Sequence, residues 1–165
     1  MDDRLPDPVD YLARSRERYD ALGYPPYRWA LDASTPPWSG LVKPLNACRL
    51  GLVSSGGIYA CGQEAFHFRD DISFRLIPSD SPANDLRVTH FAYNTVDARR
   101  DPNCVLPLDA LRNAAASGLI GSIAPEALSF VGGIYSSRRC RDVLAPRIVE
   151  HLVAQQCDAV LLVPV

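Results

Sequence analysis

Lysine is almost missing from this chain: Lys43 stands alone against sixteen arginines, and the formal net charge is −2. The arginines are scattered, so the basic patch that nucleic-acid binding requires is absent. The imbalance reads as compositional bias rather than a binding signal. Closely spaced cysteine pairs are missing as well. Cys48, Cys61, Cys104, Cys140 and Cys157 contain no C-x-x-C, which disfavours a zinc ribbon or a thioredoxin-type motif. Their number is odd and their spacing too wide for a small disulfide scaffold, and free cysteines of this kind mostly act as small buried hydrophobes. No cluster has ligand spacing, so neither a metal nor a resident cofactor is expected. No apolar run nears the roughly 18 residues that span a bilayer. Met1-Asp2-Asp3-Arg4 lacks the basic and apolar stretches of a signal peptide. The expectation is a soluble, cytoplasmic protein with no nucleic-acid and no membrane partner.

What is present is a chain of 165 residues, 47% apolar, enough for one domain with a real core. Residues 7–22 read as a helix, with Asp7 as cap, Pro8 in the first turn and Gly23 as stop. Val9, Leu12, Ala13 and Tyr19 fall near one face. Residues 24–47 then form an extended arm. Tyr24-Pro25-Pro26-Tyr27-Arg28-Trp29 resists helix at each proline, and Pro36, Pro37 and Trp38 continue the irregularity. The arm either packs on its own sheet or clasps a partner subunit. Residues 48–165 carry the core.

Arg49 to Ser54 is the first strong strand, breaking into Ser55-Gly56-Gly57. Open α/β sheets present backbone N–H groups to ligands at such breaks. The other reading is a turn that needs positive φ. There is no G-x-G-x-x-G and no helix pattern after Gly57, so a nucleotide cradle is disfavoured. Ser73 to Ile77 and Arg87 to His90 read as short strands, 94–103 as a polar loop, and Leu108 to Ser117 as a helix stopped by Gly118. Ser129 to Ile134 is an apolar run meeting Gly132-Gly133. Gly-Gly-Ile-Tyr occurs at 56–59 and again at 132–135, which suggests two strand ends that break alike. A helix follows from about Ser137 to Gln155, with Pro146 bending it or opening a new first turn. Asp158 to Val165 has the continuous apolar character of a central parallel strand buried on both faces.

Strands alternating with helices point to right-handed βαβ crossovers. The expected fold is α/β: a three-layer, open, mostly parallel sheet, Rossmann-like or flavodoxin-like. Ligands gather at the C-terminal strand ends of such sheets. The candidate pocket is therefore Ser54, Ser55, Gly56, Gly57, His90, Gly132, Gly133 and Val165. His90 is either a general acid–base or a hydrogen-bonded structural histidine. His151 reads as structural, and His67, if extended, points opposite to Phe66 and Phe68. Cys61, after a Gly-Gly turn, is the best candidate for an exposed thiol.

Several segments together resemble one bacterial family. They are Tyr11-Leu12 to Tyr19, Gly23 to Trp29, Leu50 to Gly57 with Gly62-Gln63, Asp85 to His90, Asp101 to Arg112, Gly118 to Gly121, and Asp158 to Val165. The family is the glycine/sarcosine/betaine/D-proline reductase selenoprotein B family, and the resemblance covers nearly the whole chain. It implies reductive cleavage of a C–N bond in a small-molecule substrate. Electrons would arrive by thiol exchange from a redox protein, and other reductase subunits would take part. It also implies a selenocysteine or cysteine at the first position after Val165, a second Cys a few residues on, and then a helix. The expectation is thus the N-terminal portion of a longer reading frame, ending before its nucleophile at a UGA codon and inactive alone. The alternative is a non-catalytic assembly subunit, a homo-oligomer or partner-bound, whose last strand another chain covers.

Overall fold

The computed structural model describes residues 10–26 and 33–165. The chain divides after Pro37 into two compact units. In the first, α1 (Tyr11–Ala21) starts where the Asp10 carboxylate accepts from the Ala13 amide at 2.9 Å. Asp10 therefore caps the helix. The expected cap, Asp7, and Pro8 lie outside the described residues. Gly23, at φ +71°, stops α1 as expected. Leu12 and Tyr19 are exposed, and Val9 lies outside the described residues. Of the expected arm, residues 24–26 and 33–44 form neither helix nor strand, and 27–32 lie outside the described residues.

The second unit holds the sheet. Its elements in order are β1 (Arg49–Ser54), β2 (Ile58–Ala60), β3 (Phe74–Pro78), β4 (Leu86–Val88), α2 (Val96–Arg100) and α3 (Leu108–Ala116). They continue with β5 (Ser122–Ile123), β6 (Glu126–Phe130), α4 (Ser137–Arg139), a π-helical stretch Cys140–Leu144, α5 (Ala145–Ala154) and β7 (Ala159–Val163). β1 is central. One of its edges pairs in parallel with β5 near Leu50 and with β6 near Val53. Its other edge runs parallel to β7 from Leu50↔Ala159 to Ser54↔Val163. β3 joins the far side of β6 antiparallel. The fold is α/β with a mixed, mostly parallel sheet.

Strand alternation divides the core. β1 sends Leu52 to one face, where Ile77, Leu108, Leu111 and Ile120 pack with it. It sends Val53 to the other, against Leu128, Leu144, Ile148 and Leu152. α3 covers the first face and α5 the second. Each fully buried Leu or Ile contributes about 1.5–3 kcal/mol. Gly51 lets α5 come close, since a Cβ there would lie 2.7 Å from Leu152 Cδ2.

Some expectations are corrected and others are sharpened. β7 is an edge strand, not a central one: among the described strands it pairs with β1 alone, and Leu162 is 68% exposed. Its composition records a need for cover on both faces, but β1, buried from Gly51 to Ser54, takes the middle. β4 is not in the main sheet, because it forms a separate antiparallel ribbon with β2. The stretch 94–103 is not all loop. Asp97 in the first turn and Arg99 and Arg100 in the last suit the dipole of α2, and Ala98 is buried beneath it. The helix after Ser137 divides as Pro146 suggests: a π-helical stretch comes first, and Pro146 then sits in the first turn of α5. The wider ladder relieves the clash a proline ring makes with the carbonyl four residues back. Among the described residues no helix is long and apolar enough to cross a membrane.

Candidate functional site

The parallel pairing of β1 with β6 and β7 brings three strand ends to one edge. The break after β1 is built from inside. The Ser54 hydroxyl is fully buried, donates to Val105 O at 2.6 Å and accepts from the Gly56 amide at 3.0 Å. Gly57 has φ +70°, its amide donates to Phe130 O at 2.9 Å, and its carbonyl accepts from Thr89 N at 2.9 Å. A Cβ on Gly57 would collide with the Thr89 carbonyl. Of the two readings of Gly56-Gly57, the positive-φ turn is the one that forms. Gly56 forms an antiparallel bridge with Val131, and Tyr93 Oη donates to its carbonyl at 2.9 Å. Burial, with a smaller contribution from Cys104, pushes the Tyr93 phenol up to about 12.

Ser55 ties the strand ends together. Its amide donates to Val163 O at 3.1 Å, its carbonyl accepts from Gly132 N at 3.0 Å, and its hydroxyl accepts from Val165 N at 2.9 Å. His90 closes this network. Its Nδ1 accepts from Ala92 N at 3.1 Å, and the Gly132 amide lies 3.1 Å from its Nε2. A neutral imidazole cannot accept at both nitrogens. The consistent tautomer carries the proton on Nε2 and donates it to the Ser55 carbonyl, which the Gly132 amide also reaches. Burial lowers the His90 pKa, and the Ser55 carbonyl partly offsets this. A neutral ring, tilted 49° to that of Tyr93 at 4.5 Å between centroids, therefore staples the loops together.

Ser55, His90, Gly132 and Val165 thus meet in one hydrogen-bonded network, with Ser54, Gly56 and Gly57 buried behind it. Gly133 faces elsewhere. A Cβ there would meet nothing within 4 Å, and Gly133 lines a cavity of about 70 Å³ with His67, Phe68, Asp71, Phe91 and Tyr135. The two Gly-Gly breaks are not alike, because only Gly57 among their four glycines takes positive φ. Residues 66–68 form no strand, and the His67 ring lies 4.6 Å from that of Phe68. His151 packs edge-on to Phe74 at 5.1 Å. Cys61 and Cys104 are exposed and Cys48 is buried.

Sequence reasoning missed the aromatic lining. Phe68 and Phe91 meet edge to face at 6.2 Å, though 23 residues apart in sequence. The available signal was Phe91-Ala92-Tyr93, an apolar triplet entering a polar loop. It also missed a larger cavity of about 240 Å³ at the opposite, N-terminal end of β1 and β7, lined by Lys43, Arg49, Gln156 and Asp158. There Lys43 Nζ lies 2.7 Å from the Asp158 carboxylate, which also accepts from Arg49 N at 2.7 Å. Lys43 foremost, then the Arg49 amide, holds that carboxyl below its ordinary range. Among the described residues no group of three His, Cys, Asp or Glu side chains could hold a metal ion.

Comparison with known proteins gives a consistent picture. Residues 34–165 match the family described as glycine/sarcosine/betaine reductase selenoprotein B. The chain is 35% identical over 130 residues to the D-proline reductase subunit gamma of Acetoanaerobium sticklandii, covering 78% of this chain and 54% of that protein. It is 29% identical over 127 residues to the glycine reductase complex component B subunit gamma of Symbiobacterium thermophilum, covering 73% of this chain and 29% of that one. The chain therefore spans about half the length of the first relative and under a third of the second. No solved structure matches it.

Proposed function

The chain belongs to the glycine/sarcosine/betaine reductase selenoprotein B family, and from that premise we propose that it is the front part of a B-type reductase component that cleaves a C–N bond in a small-molecule substrate. In this reading the reactive selenium or sulfur occupies the position after Val165. The sheet is the Rossmann-like or flavodoxin-like kind that carries its chemistry at the C-terminal strand ends. The cleavage takes up two electrons and a proton as the C–N bond breaks and the amine leaves. A dithiol of a redox protein supplies the electrons and ends as a disulfide. Such thiol chemistry suits a reducing compartment such as the cytoplasm. Other reductase subunits complete the site.

The observation that supports this most is the hold of Ser55 on Val165. It ties the backbone that leads to the next residue to the same serine that bonds Gly132 and His90, which supports a reactive group at this shared strand-end edge. The coding sequence past Val165 tests the proposal. An in-frame UGA or Cys codon, a second Cys codon close behind and a helix pattern are expected. A different codon at that position, or no open frame beyond it, overturns the reading.

A second reading rests on β7. With Leu162 68% exposed on an edge strand, the chain serves instead as a non-catalytic assembly subunit whose last strand pairs with another copy or a partner. Sedimentation of the purified chain separates the two, because a stable monomer across a wide concentration range removes self-assembly.

A further inference from the structure

We propose that the furrow between α5 and β7 seats an amphipathic crossover helix of the chain that continues past Val165; this rests on the reductase reading, in which the frame runs on, and names what covers its open strand. Two patterns build the furrow. β7 lies in register with β1, Gly51 opposite Val160 and Val53 opposite Leu162. Paired residues of parallel strands share a face, so Val160 and Leu162 stand on the α5 side with Val53. They are 38% and 68% exposed there. α5 rests on the sheet along Ile148 and Leu152. At about 100° per residue, Arg147 and His151 fall on one flank of that line and Val149 and Val153 on the other. The first pair reaches Phe74 of β3, with the guanidinium 5.2 Å and the imidazole 5.1 Å from its ring centroid. β3 and β7 lie on opposite sides of β1, so Val149 and Val153 overhang β7. They are 54% and 69% exposed, and Ala145, also exposed, extends their line by one turn.

The topology names the occupant. β1 holds one edge of β7, so a further strand of this sheet joins the other edge. The step from β6 past β1 to β7 carries α5 on its face of the sheet. A further step in the same direction and with the same hand puts its helix on the same face. That helix lies beside α5, over Val160 and Leu162. The furrow side chains carry no charge and no hydrogen-bonding group, so they call for an apolar stripe, and the outer face of the helix is polar. A parallel crossover needs about a dozen residues or more. The chain covers 54% of the D-proline reductase relative, so nearly half of that protein lies outside the match, ample for such a helix and strand.

Thiol labelling of two lengths tests the seat: the 165-residue chain, and the product of the same gene read on past Val165 with a Cys codon wherever the frame has UGA. Val153→Cys and Leu162→Cys replace exposed side chains, and a far-UV spectrum checks that each variant is folded. Both should react readily with iodoacetamide in the shorter chain and about tenfold or more slowly in the longer one, as read by peptide mapping. Arg147→Cys, on the other flank of α5, should react alike in both lengths. The slowing should survive dilution, because the helix belongs to the same chain. Equal rates at 153 and 162 in the two lengths overturn the inference. So does slowing as large at 147, which would mark a general change rather than a seated helix. Slowing that fades on dilution overturns it too, since a second copy would then fill the furrow. Absence of an open frame past Val165 removes the reductase reading and this inference together, whereas an open frame with equal labelling removes the inference alone.

Discussion

The Val165 amide donates to the Ser55 hydroxyl at 2.9 Å, joining positions 110 residues apart. The same serine bonds Val163 through its amide and Gly132 through its carbonyl. One residue thus sets the relative height of three strand ends, and backbone atoms do most of the holding. The side chain holds only Val165.

Ser55→Ala should therefore act locally. Loss of one neutral hydrogen bond of about 1 kcal/mol should speed hydrogen exchange of the Val165 amide about fivefold. Global stability to urea should change by about 1 kcal/mol or less. Unchanged exchange at Val165 would mean the tether does not form in solution.

Gly57→Ala should be far more damaging. The residue sits at φ +70° and a methyl group meets the Thr89 carbonyl. The left-handed conformation and the collision together should cost about 3 kcal/mol or more. Gly133→Ala is the control, since its Cβ would enter open space. Urea midpoints that drop equally in the two variants would contradict the geometry.

His90 predicts a pH dependence. Its folded-state pKa lies below the ordinary value of 6.5, chiefly through burial. The unfolded chain therefore binds the proton more readily, and stability rises with pH across the window between the folded value and 6.5. The contribution is fully present above 6.5 and is lost as pH falls through the folded pKa. Urea unfolding of the wild type and His90→Gln at a series of pH values should show a steeper acid loss in the wild type. Parallel curves would assign that loss to other groups.

Three of the five thiols should separate under iodoacetamide. Cys61, exposed after β2, should label first. Cys104 is also exposed, yet burial of its sulfur foremost, with Asp101 and Asp97 nearby, raises its pKa, so it should react more slowly than its exposure alone suggests. Cys48, at 0% exposure, should label only on unfolding. Peptide mapping of a time course reads all three, and early modification of Cys48 would show the core around β1 to be open.

How much of this could be read from the sequence follows the range of the interactions. β1, α3 and the stops at Gly23 and Gly118 depend on local pattern and backbone freedom, and they form close to where the pattern puts them. Position within the sheet depends on partners far along the chain. The apolar run 159–163 identifies a strand, but the pairing that places it at the edge involves Leu50 to Ser54, over a hundred residues away. The site divides in the same way. Strand-end reasoning brings Ser55, His90, Gly132 and Val165 to one edge, yet the bond of His90 to the Ser55 carbonyl joins two separate segments and leaves no local trace. The aromatic cavity was the least legible part, because Phe68, Phe91 and Tyr135 lie in three separate irregular segments.

The π-helical stretch before Pro146 has a consequence for how the chain can vary. Such a stretch is one surplus residue taken up without turning the helix on either side. Losing that residue alone would restore regular winding up to α5 and leave Pro146 in a helix interior, at a cost of about 3 kcal/mol. Replacing Pro146 alone would leave the wide turn with no proline ring to accommodate. The extra residue and the proline are therefore a matched pair, expected to be gained or lost together. A chain lacking both would run one unbroken helix and still turn Ile148 and Leu152 toward the sheet.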